Sequence, residues 1–178
     1  ARTGVLVVNL GTPDEPTTSA VRRYLAEFLW DPRVIEQPRA LWWLILHGII
    51  LRTRPAKSAH AYQKVWTPAG SPLLVESRAL TDGLAMSYGN PSISSALERL
   101  RAANVQRLLV LPMYPQYSST TTASIFERVT TELARWRWIP ELRMVNQYWE
   151  DETYIAAIAS SIAARWQTHG RKHLLFSF

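Results

Sequence analysis

Short apolar runs alternate with helix-like segments along this chain of 178 residues, and the alternation constrains the fold more than any other feature. The β-branched run at 5–10 ends in Gly-Thr-Pro, which is typical of a strand buried on both faces and stopped by a turn. The next segment begins with hydroxyl residues that can cap a helix, and it carries Val21, Leu25 and Phe28 at helical spacing before Asp31-Pro32 ends it. Strands that alternate with helices predict an α/β fold, with a parallel sheet and helices on both of its faces.

The rest of the chain continues this alternation with one interruption. Ser71 and Pro72 are placed to be the N-cap and the first residue of a helix that runs towards Ala85. That helix leads straight into 86–91, so either the sheet omits a strand or residues are missing from the sequence near 83–86. The chain also stops inside a strand-like run, and both features predict an incomplete chain. The predicted helices are 41–51, 58–66, 72–85, 93–100, 124–136 and 154–166, and the later strands are 107–111, 143–145 and 174–178.

The composition excludes several classes of protein. An apolar fraction of 47% rules out general disorder, and the absence of Cys rules out a disulfide scaffold, a thiolate zinc site and an iron–sulfur cluster within this chain. No signal peptide is visible, and no apolar stretch reaches the ~20 residues that a transmembrane helix needs. The formal net charge of +6 favours an anionic partner, which is a nucleic acid, a lipid headgroup or a carboxylated small molecule.

In open α/β sheets, ligands bind beyond the carboxyl ends of the strands. In this chain those positions are 10–13, 88–91, 114–119 and 148–149, together with whatever follows 178. They are rich in Tyr, Ser, Thr, Gly and Pro, which suits a large, flat, partly apolar ligand held between aromatic walls. The alternative, that these are ordinary loop residues, stays open. The sequence contains neither a dinucleotide fingerprint nor a phosphate-binding loop, and its four His form no strong metal motif.

The most apolar segment, 41–51, has two interpretations. It is either a buried core helix or a helix at the mouth of a hydrophobic pocket that rests on a membrane. In the second case its Trp residues lie at the headgroup level, and Arg52, Arg54 and Lys57 lie beside acidic lipids. A second Trp-rich segment, 135–138, fits a base-stacking patch, but cations at a helix C-terminus explain it better.

The run Gly-Val-Leu-Val-Val-Asn-Leu-Gly-Thr-Pro at 4–13 resembles the opening signature of ferrochelatases, which insert ferrous iron into a porphyrin at the end of haem synthesis. Further motifs match in order and spacing: Val-Arg-Arg-Tyr-Leu at 21–25, Phe-Leu at 28–29, Gly-Ser-Pro-Leu at 70–73, Met-Ser-Tyr-Gly-Asn-Pro at 86–91 and Leu-Pro-Met-Tyr-Pro-Gln-Tyr-Ser at 111–118. The likeness covers essentially the whole chain and is closest to bacterial members.

The resemblance implies two similar Rossmann-like domains with a porphyrin cleft between them, and 1–178 corresponds to the first. It implies that the catalytic His, in a His-Gly-(Ile/Leu)-Pro motif, follows directly after Phe178, so this segment alone is expected to be inactive. The strand before Met86 is shorter than the family's, which agrees with residues missing near 83–86. Ser119 stands where some animal members carry a cluster-ligating Cys, so we expect no iron–sulfur cluster, no other cofactor and no metal-ligating residue in this segment.

The resemblance also implies roles for residues that are present. Leu10 aligns with the position that faces the metal from the side opposite the catalytic His. Lys57 and Lys64 fall where the family places cations near the porphyrin propionates. The resemblance also implies an apolar lip, formed by Leu41, Trp42, Trp43, Leu44 and Ile45. Together with its basic flank, this region covers 41–57. The implied porphyrin-binding residues are Leu10, Gly11, Thr12, Pro13, Lys57, Lys64, Tyr88, Tyr114 and Ser118.

The implied substrates are ferrous iron and a porphyrin, with protoporphyrin favoured by the apolar lip. The implied protein is cytoplasmic, contacts a membrane at its periphery and binds no nucleic acid. Two alternatives stay open. One is a basic α/β module without chemistry that binds anionic lipid or nucleic acid. The other is a related chelatase for cobalt or another metal, although the Asn-Leu-Gly-Thr-Pro and Tyr-Pro-Gln-Tyr-Ser motifs favour iron.

Overall fold

The structure, a computed structural model, describes residues 1–81, 83–171 and 173–174. The chain forms two units, Ala1–Asn146 and Gln147–Phe178. The first unit contains, in order, β1 (Thr3–Thr12), α1 (Thr18–Trp30), α2 (Arg39–Ile45), a π-helical turn (Leu46–Ile50), α3 (Leu51–Gln63), α4 (Pro72–Leu80), β2 (Leu84–Gly89), α5 (Ile93–Ala102), β3 (Arg107–Pro112), a second π-helical turn (Ser119–Ala123), α6 (Ser124–Leu133) and β4 (Glu141–Met144).

The four strands form one parallel sheet in the order β2-β1-β3-β4. On one face, Leu6 and Val8 of β1 are fully buried in a core to which α5 contributes Leu97 and α6 contributes Ile125. On the other face, the Asn9 side-chain amide donates a hydrogen bond of 3.1 Å to the Ser77 hydroxyl of α4. Helices therefore cover both faces, and the prediction of an α/β parallel sheet is confirmed.

The strand β2 corrects the predicted helix 72–85. The helix α4 ends at Leu80, and β2 follows after a short turn and pairs with β1 along its length. The Gly83 carbonyl accepts a hydrogen bond of 3.0 Å from the Val7 amide, and a side chain at Gly83 would overlap the Val5 carbonyl. The alternation of strands and helices is therefore uninterrupted here, because β2 supplies the strand that follows α4. Whether residues are missing near 83–86 stays a prediction, and Asp82 lies outside the described residues.

The helical region after α2 also differs from the prediction of a separate helix at 58–66. The backbone stays in the right-handed helical region from α2 through the π-helical turn into α3. Pro55 lies inside α3, and it is buried on the same face as Leu51 and Ala59. Burial of this face outweighs the break that a proline and a run of cations would otherwise favour.

The unit that begins at Gln147 contains one long helix, α7 (Glu152–His169). Asp151 is its N-cap, because the carboxylate accepts a hydrogen bond of 2.9 Å from the Tyr154 amide. The helix predicted at 154–166 is confirmed. The strand predicted at 174–178 lies, apart from Leu174, outside the described residues.

Candidate functional site

The strand order predicts a ligand crevice at the carboxyl ends of β1 and β3. The chain leaves β1 for β2 on one side and later returns to β3 on the other, so the order reverses between β1 and β3. The two strand ends are joined by a hydrogen bond of 2.7 Å from the Met113 amide to the Val8 carbonyl. The structure therefore brings the predicted residues at 10–13 and Tyr114 to the same edge of the sheet.

The end of β1 is held closely against its neighbours. Gly11 has a φ of +111° and is aligned with Tyr88 on β2, whose carbonyl would overlap any side chain at this position. The Tyr24 hydroxyl of α1 donates to the Gly11 carbonyl at 3.3 Å. Thr12 and Pro13 are buried, and the Thr12 hydroxyl has no hydrogen-bond partner among the described residues. The tight backbone packing explains why this strand end requires glycine.

Leu10 lies between the sheet and a helical wall. It is half-buried and packs against a cluster built by α1, α2 and α3, to which Ile50 and Tyr62 also contribute. This arrangement makes Leu10 part of an apolar surface at the carboxyl end of β1, and that this surface holds a flat ligand stays a prediction.

The segment after β3 supplies hydroxyl groups. Burial raises the pKa of Tyr114 well above its usual range, and its hydroxyl has no partner among the described residues. Ser118 caps the second π-helical turn: its hydroxyl accepts a hydrogen bond of 3.3 Å from the Thr120 amide, and its carbonyl accepts one of 3.2 Å from the Ala123 amide. Ser118 is half-buried, and its backbone position is fixed by the turn.

Tyr88 differs from its predicted place on the rim. Its side chain is only 1% exposed, and its hydroxyl donates a hydrogen bond of 2.9 Å to the Asp31 carboxylate. Burial raises the pKa of Tyr88 to about 12, so the hydroxyl stays protonated at physiological pH. Tyr88 therefore supports the end of β2 from within the core, and its hydroxyl does not face the crevice.

The two predicted lysines lie on the surface of the helical wall. Lys57 is on α3 and Lys64 follows its last residue, two helical turns further on the same face. Both are exposed, and neither forms an ion pair with a residue of the described part of the chain. They are available to bind a carboxylate.

The predicted lip is divided between surface and core. Leu41, Trp43 and Leu44 are 51%, 51% and 61% exposed, and Ile45 is half-buried. Trp42 is only 8% exposed, and its indole N–H donates a hydrogen bond of 2.7 Å to the Leu29 carbonyl. The prediction that both Trp residues face outward is therefore corrected: Trp43 does, and Trp42 ties α2 to α1.

A buried carboxylate, Asp31, was missed by the sequence analysis, which treated Asp31-Pro32 only as the end of a helix. The Asp31 carboxylate accepts hydrogen bonds from the hydroxyls of Ser124, at 2.6 Å, and Tyr88, and from the Arg33 amide at 2.8 Å. Burial favours its neutral form, but these hydrogen bonds and the nearby Arg128 guanidinium outweigh burial and lower the pKa of Asp31 below its usual value. No local pattern in the sequence predicts this network of hydrogen bonds.

A concave region lies beside the predicted lip, because Trp43 is among the residues that line it. It is a groove of about 780 Å³ between α1 and α6. Its walls carry both charges: the carboxylates of Glu27, Asp31, Glu127 and Glu132 and the guanidinium groups of Arg39, Arg128 and Arg135. None of the predicted porphyrin-binding residues lines it. The strand ends, where the topology of an open α/β sheet places ligands, are therefore kept as the candidate site. Within the described ranges, no group of three or more His, Asp or Glu side chains is arranged to hold a metal ion.

Comparisons with known proteins match the whole chain to one family. The family model described as Ferrochelatase matches residues 2–178. Ferrochelatase of Thioalkalivibrio sulfidiphilus is 55% identical over 192 residues, covering 98% of this chain and 52% of the relative. Ferrochelatase of Marinobacter nauticus is 51% identical, with 98% and 51% covered, and Ferrochelatase 2 of Shewanella oneidensis is 50% identical, with 98% and 58% covered. The chain therefore spans about half the length of these curated relatives.

Proposed function

The chain belongs to the ferrochelatase family, and on this premise we propose that the full-length protein inserts ferrous iron into a porphyrin to give haem. The observation that carries the proposal is the placement of the family's opening motif: it forms β1 and brings Leu10, Gly11, Thr12 and Pro13 to the crevice beside Tyr114. In this proposal the chain forms one wall of the porphyrin cleft and the first of two similar domains.

The chemistry assigns different tasks to the wall and to the rest of the protein. Metal insertion requires the macrocycle to bend and two pyrrole protons to leave, with a general base within hydrogen-bond reach of the pyrrole N–H. The Leu10 side chain and the Tyr114 ring are suited to grip the flat macrocycle, and Ser118 offers a hydroxyl at its edge. The segments of the described chain that line the crevice carry no His, so we assign the general base to the remainder of the protein. Iron is a substrate here, and we assign no resident cofactor to this chain.

We assign Lys57 and Lys64 to the porphyrin carboxylates. In full-length protein, the double substitution Lys57→Glu and Lys64→Glu is expected to weaken binding of a dicarboxylate porphyrin about tenfold, because exposed ion pairs contribute up to about 1 kcal/mol each. The affinity is measured by the shift of the porphyrin absorption band and by quenching of Trp fluorescence.

Two controls separate charge pairing from general damage. Arg101→Glu with Arg143→Glu changes the net charge equally on α5 and β4, outside the crevice, and is expected to leave the affinity unchanged. A porphyrin whose carboxylates are esterified is expected to bind wild type and the lysine variant equally. An equal loss of affinity for the ester would contradict the assignment.

We also propose that the exposed part of the lip contacts a membrane, from which an apolar porphyrin such as protoporphyrin enters the cleft of a cytoplasmic protein. Trp43, Leu44 and Ile49 are exposed on the helical wall, and Arg52 and Arg54 follow them. No helix in the part of the chain that the structure describes is long and apolar enough to cross a bilayer. The support is therefore an apolar patch beside cations, which suits an anionic membrane surface.

This membrane contact has a direct test. Trp43→Ala with Leu44→Ala is expected to lower the affinity for phosphatidylglycerol-containing vesicles at least about tenfold, as measured by co-sedimentation. The reason is that the two exposed apolar side chains can no longer insert into the membrane interface. Trp138→Ala, which removes another exposed Trp in the segment between α6 and β4, is the matched control and should bind as wild type. Unchanged binding by the double variant would refute the proposed contact.

A further inference from the structure

Three elements meet at the carboxylate of Asp31. Asp31 follows the last residue of α1, Ser124 is the first residue of α6, and Tyr88 lies near the end of β2. The same carboxylate oxygen accepts hydrogen bonds of 2.6 Å from Ser124 and 2.9 Å from Tyr88, while the other oxygen accepts from the Arg33 amide. Asp31 itself is only 9% exposed. One side chain therefore joins three segments that are distant in the sequence.

Ser124 connects this carboxylate to the predicted cleft wall. It directly follows the second π-helical turn, Ser119–Ala123, in which the Ala123 and Thr121 amides both donate to the Ser118 carbonyl. The turn is closed by these hydrogen bonds, so fixing its end at Ser124 also fixes its beginning at Ser118. A movement of Ser124 is expected to shift Ser118.

Tyr88 connects the same carboxylate to the end of β1. It is aligned with Gly11 across the β1–β2 pair, and the Gly11 backbone approaches the Tyr88 carbonyl closely enough to exclude a side chain. The position of Tyr88 therefore sets the position of Gly11 and the residues that follow it. Asp31 thus has a path to both sides of the crevice.

Arg128 compensates the charge of this carboxylate. Its Nε atom is 3.8 Å from the Asp31 carboxylate, and its guanidinium lies 4.4 Å from the centre of the Tyr88 ring. It also forms an ion pair of 3.2 Å with Glu27 and donates to the Ser87 carbonyl. The carboxylate therefore stays ionised within a nearly closed set of donors.

From this geometry we propose that Asp31 is a positioning residue for the porphyrin cleft, holding the Ser118 turn and the ends of β1 and β2 in register. The proposal rests on the proposed function for its effect on porphyrin, but the anchoring of the turn is a property of the fold. Asp31 acts through Ser124 and Tyr88 and touches no substrate itself.

The substitution Asp31→Asn tests the proposal in the full-length protein. The Asn side chain has one acceptor oxygen where Asp has two. Either the Arg33 amide or the hydroxyls of Ser124 and Tyr88 therefore lose their hydrogen-bond acceptor. We expect the KM for porphyrin to rise at least about fivefold with kcat changed less than about twofold, because substrate placement is lost and the reacting groups are intact. We also expect faster hydrogen exchange at the amides of 120–124.

Ser124→Ala provides a second variant that leaves the carboxylate ionised beside Arg128, and it is expected to show the same KM rise and the same faster exchange. Glu98→Gln is the matched acid-to-amide control, since Glu98 is exposed on α5 and, among the described residues, pairs only with Arg101, and it should behave as wild type. If the wild-type protein inserts no metal, the proposed function fails. The hydrogen-exchange measurement still tests whether Asp31 anchors the Ser118 turn. Exchange at 120–124 that is unchanged in Asp31→Asn and Ser124→Ala overturns the proposal, as does a wild-type KM in both variants of an active enzyme.

Discussion

Replacement of Gly11 by Ala is expected to destabilise the protein by more than about 4 kcal/mol, among the largest effects that a single substitution produces. The new methyl group would overlap the Tyr88 carbonyl oxygen, and the φ of +111° is unfavourable for any residue with a side chain. Both strands are fixed by buried neighbours, so neither can move aside without breaking the β1–β2 pairing. Urea unfolding followed by Trp fluorescence measures the loss.

Gly70→Ala is the matched control for this prediction. Gly70 has a similar φ of +117°, but a side chain built there would meet nothing within 4 Å. Its substitution is expected to cost only about 1 kcal/mol, which is the conformational part of the penalty. If the two variants lose equal stability, the close packing of β1 against β2 is not the cause.

The second large effect is expected at Trp42. Its ring is buried between α1 and α2, and its indole N–H is hydrogen-bonded to the Leu29 carbonyl. Trp42→Ala is therefore expected to lower the free energy of unfolding by about 3–5 kcal/mol, through the cavity that it leaves and the carbonyl that loses its donor.

The neighbouring Trp43 makes the comparison informative. It is 51% exposed, and its ring contacts only His47 among the aromatic side chains of the described residues, so Trp43→Ala is expected to cost less than about 1 kcal/mol. The same unfolding measurement covers both variants. If Trp43→Ala lowered the free energy of unfolding more than Trp42→Ala, then Trp43, and not Trp42, would be the buried side chain.

The alternation of strands and helices was sufficient to predict the parallel sheet, because β1 and β3 are rich in β-branched and apolar residues and are bounded by turn residues. It was not sufficient for β2. The residues Leu84, Ala85 and Met86 all favour helix when taken alone, and they form a strand because they pair with β1 in a buried sheet. Local propensity contains no information on that pairing.

That the strand ends at 10–13 and around Tyr114 lie at one edge of the sheet was also predictable, since it follows from the topology. The orientation of side chains near it was not. Trp42 and Trp43 belong to a segment that is apolar on all sides, so no hydrophobic stripe indicates which of them faces α1. Pro55 and the cations around it suggest a break, yet the buried face of α3 runs through them.

Asp31 shows why the supporting network escaped detection. Its hydrogen-bond partners Tyr88 and Ser124 lie 57 and 93 residues further along the chain, and neither partner has an unusual local context. A carboxylate next to Pro is an ordinary helix end in sequence, and only the tertiary fold converts it into a buried acceptor. Residues that act through long-range hydrogen bonds are generally invisible to periodicity and motif arguments.

We propose above that this chain forms one wall of a cleft in which iron enters a porphyrin. The most direct test is the rate at which the full-length protein inserts ferrous iron into protoporphyrin, followed anaerobically by the loss of porphyrin fluorescence. We expect saturable insertion, well above the rate without protein, with a KM for porphyrin that rises in the variant carrying Lys57→Glu and Lys64→Glu. No insertion above the rate without protein, in a folded preparation, would contradict it.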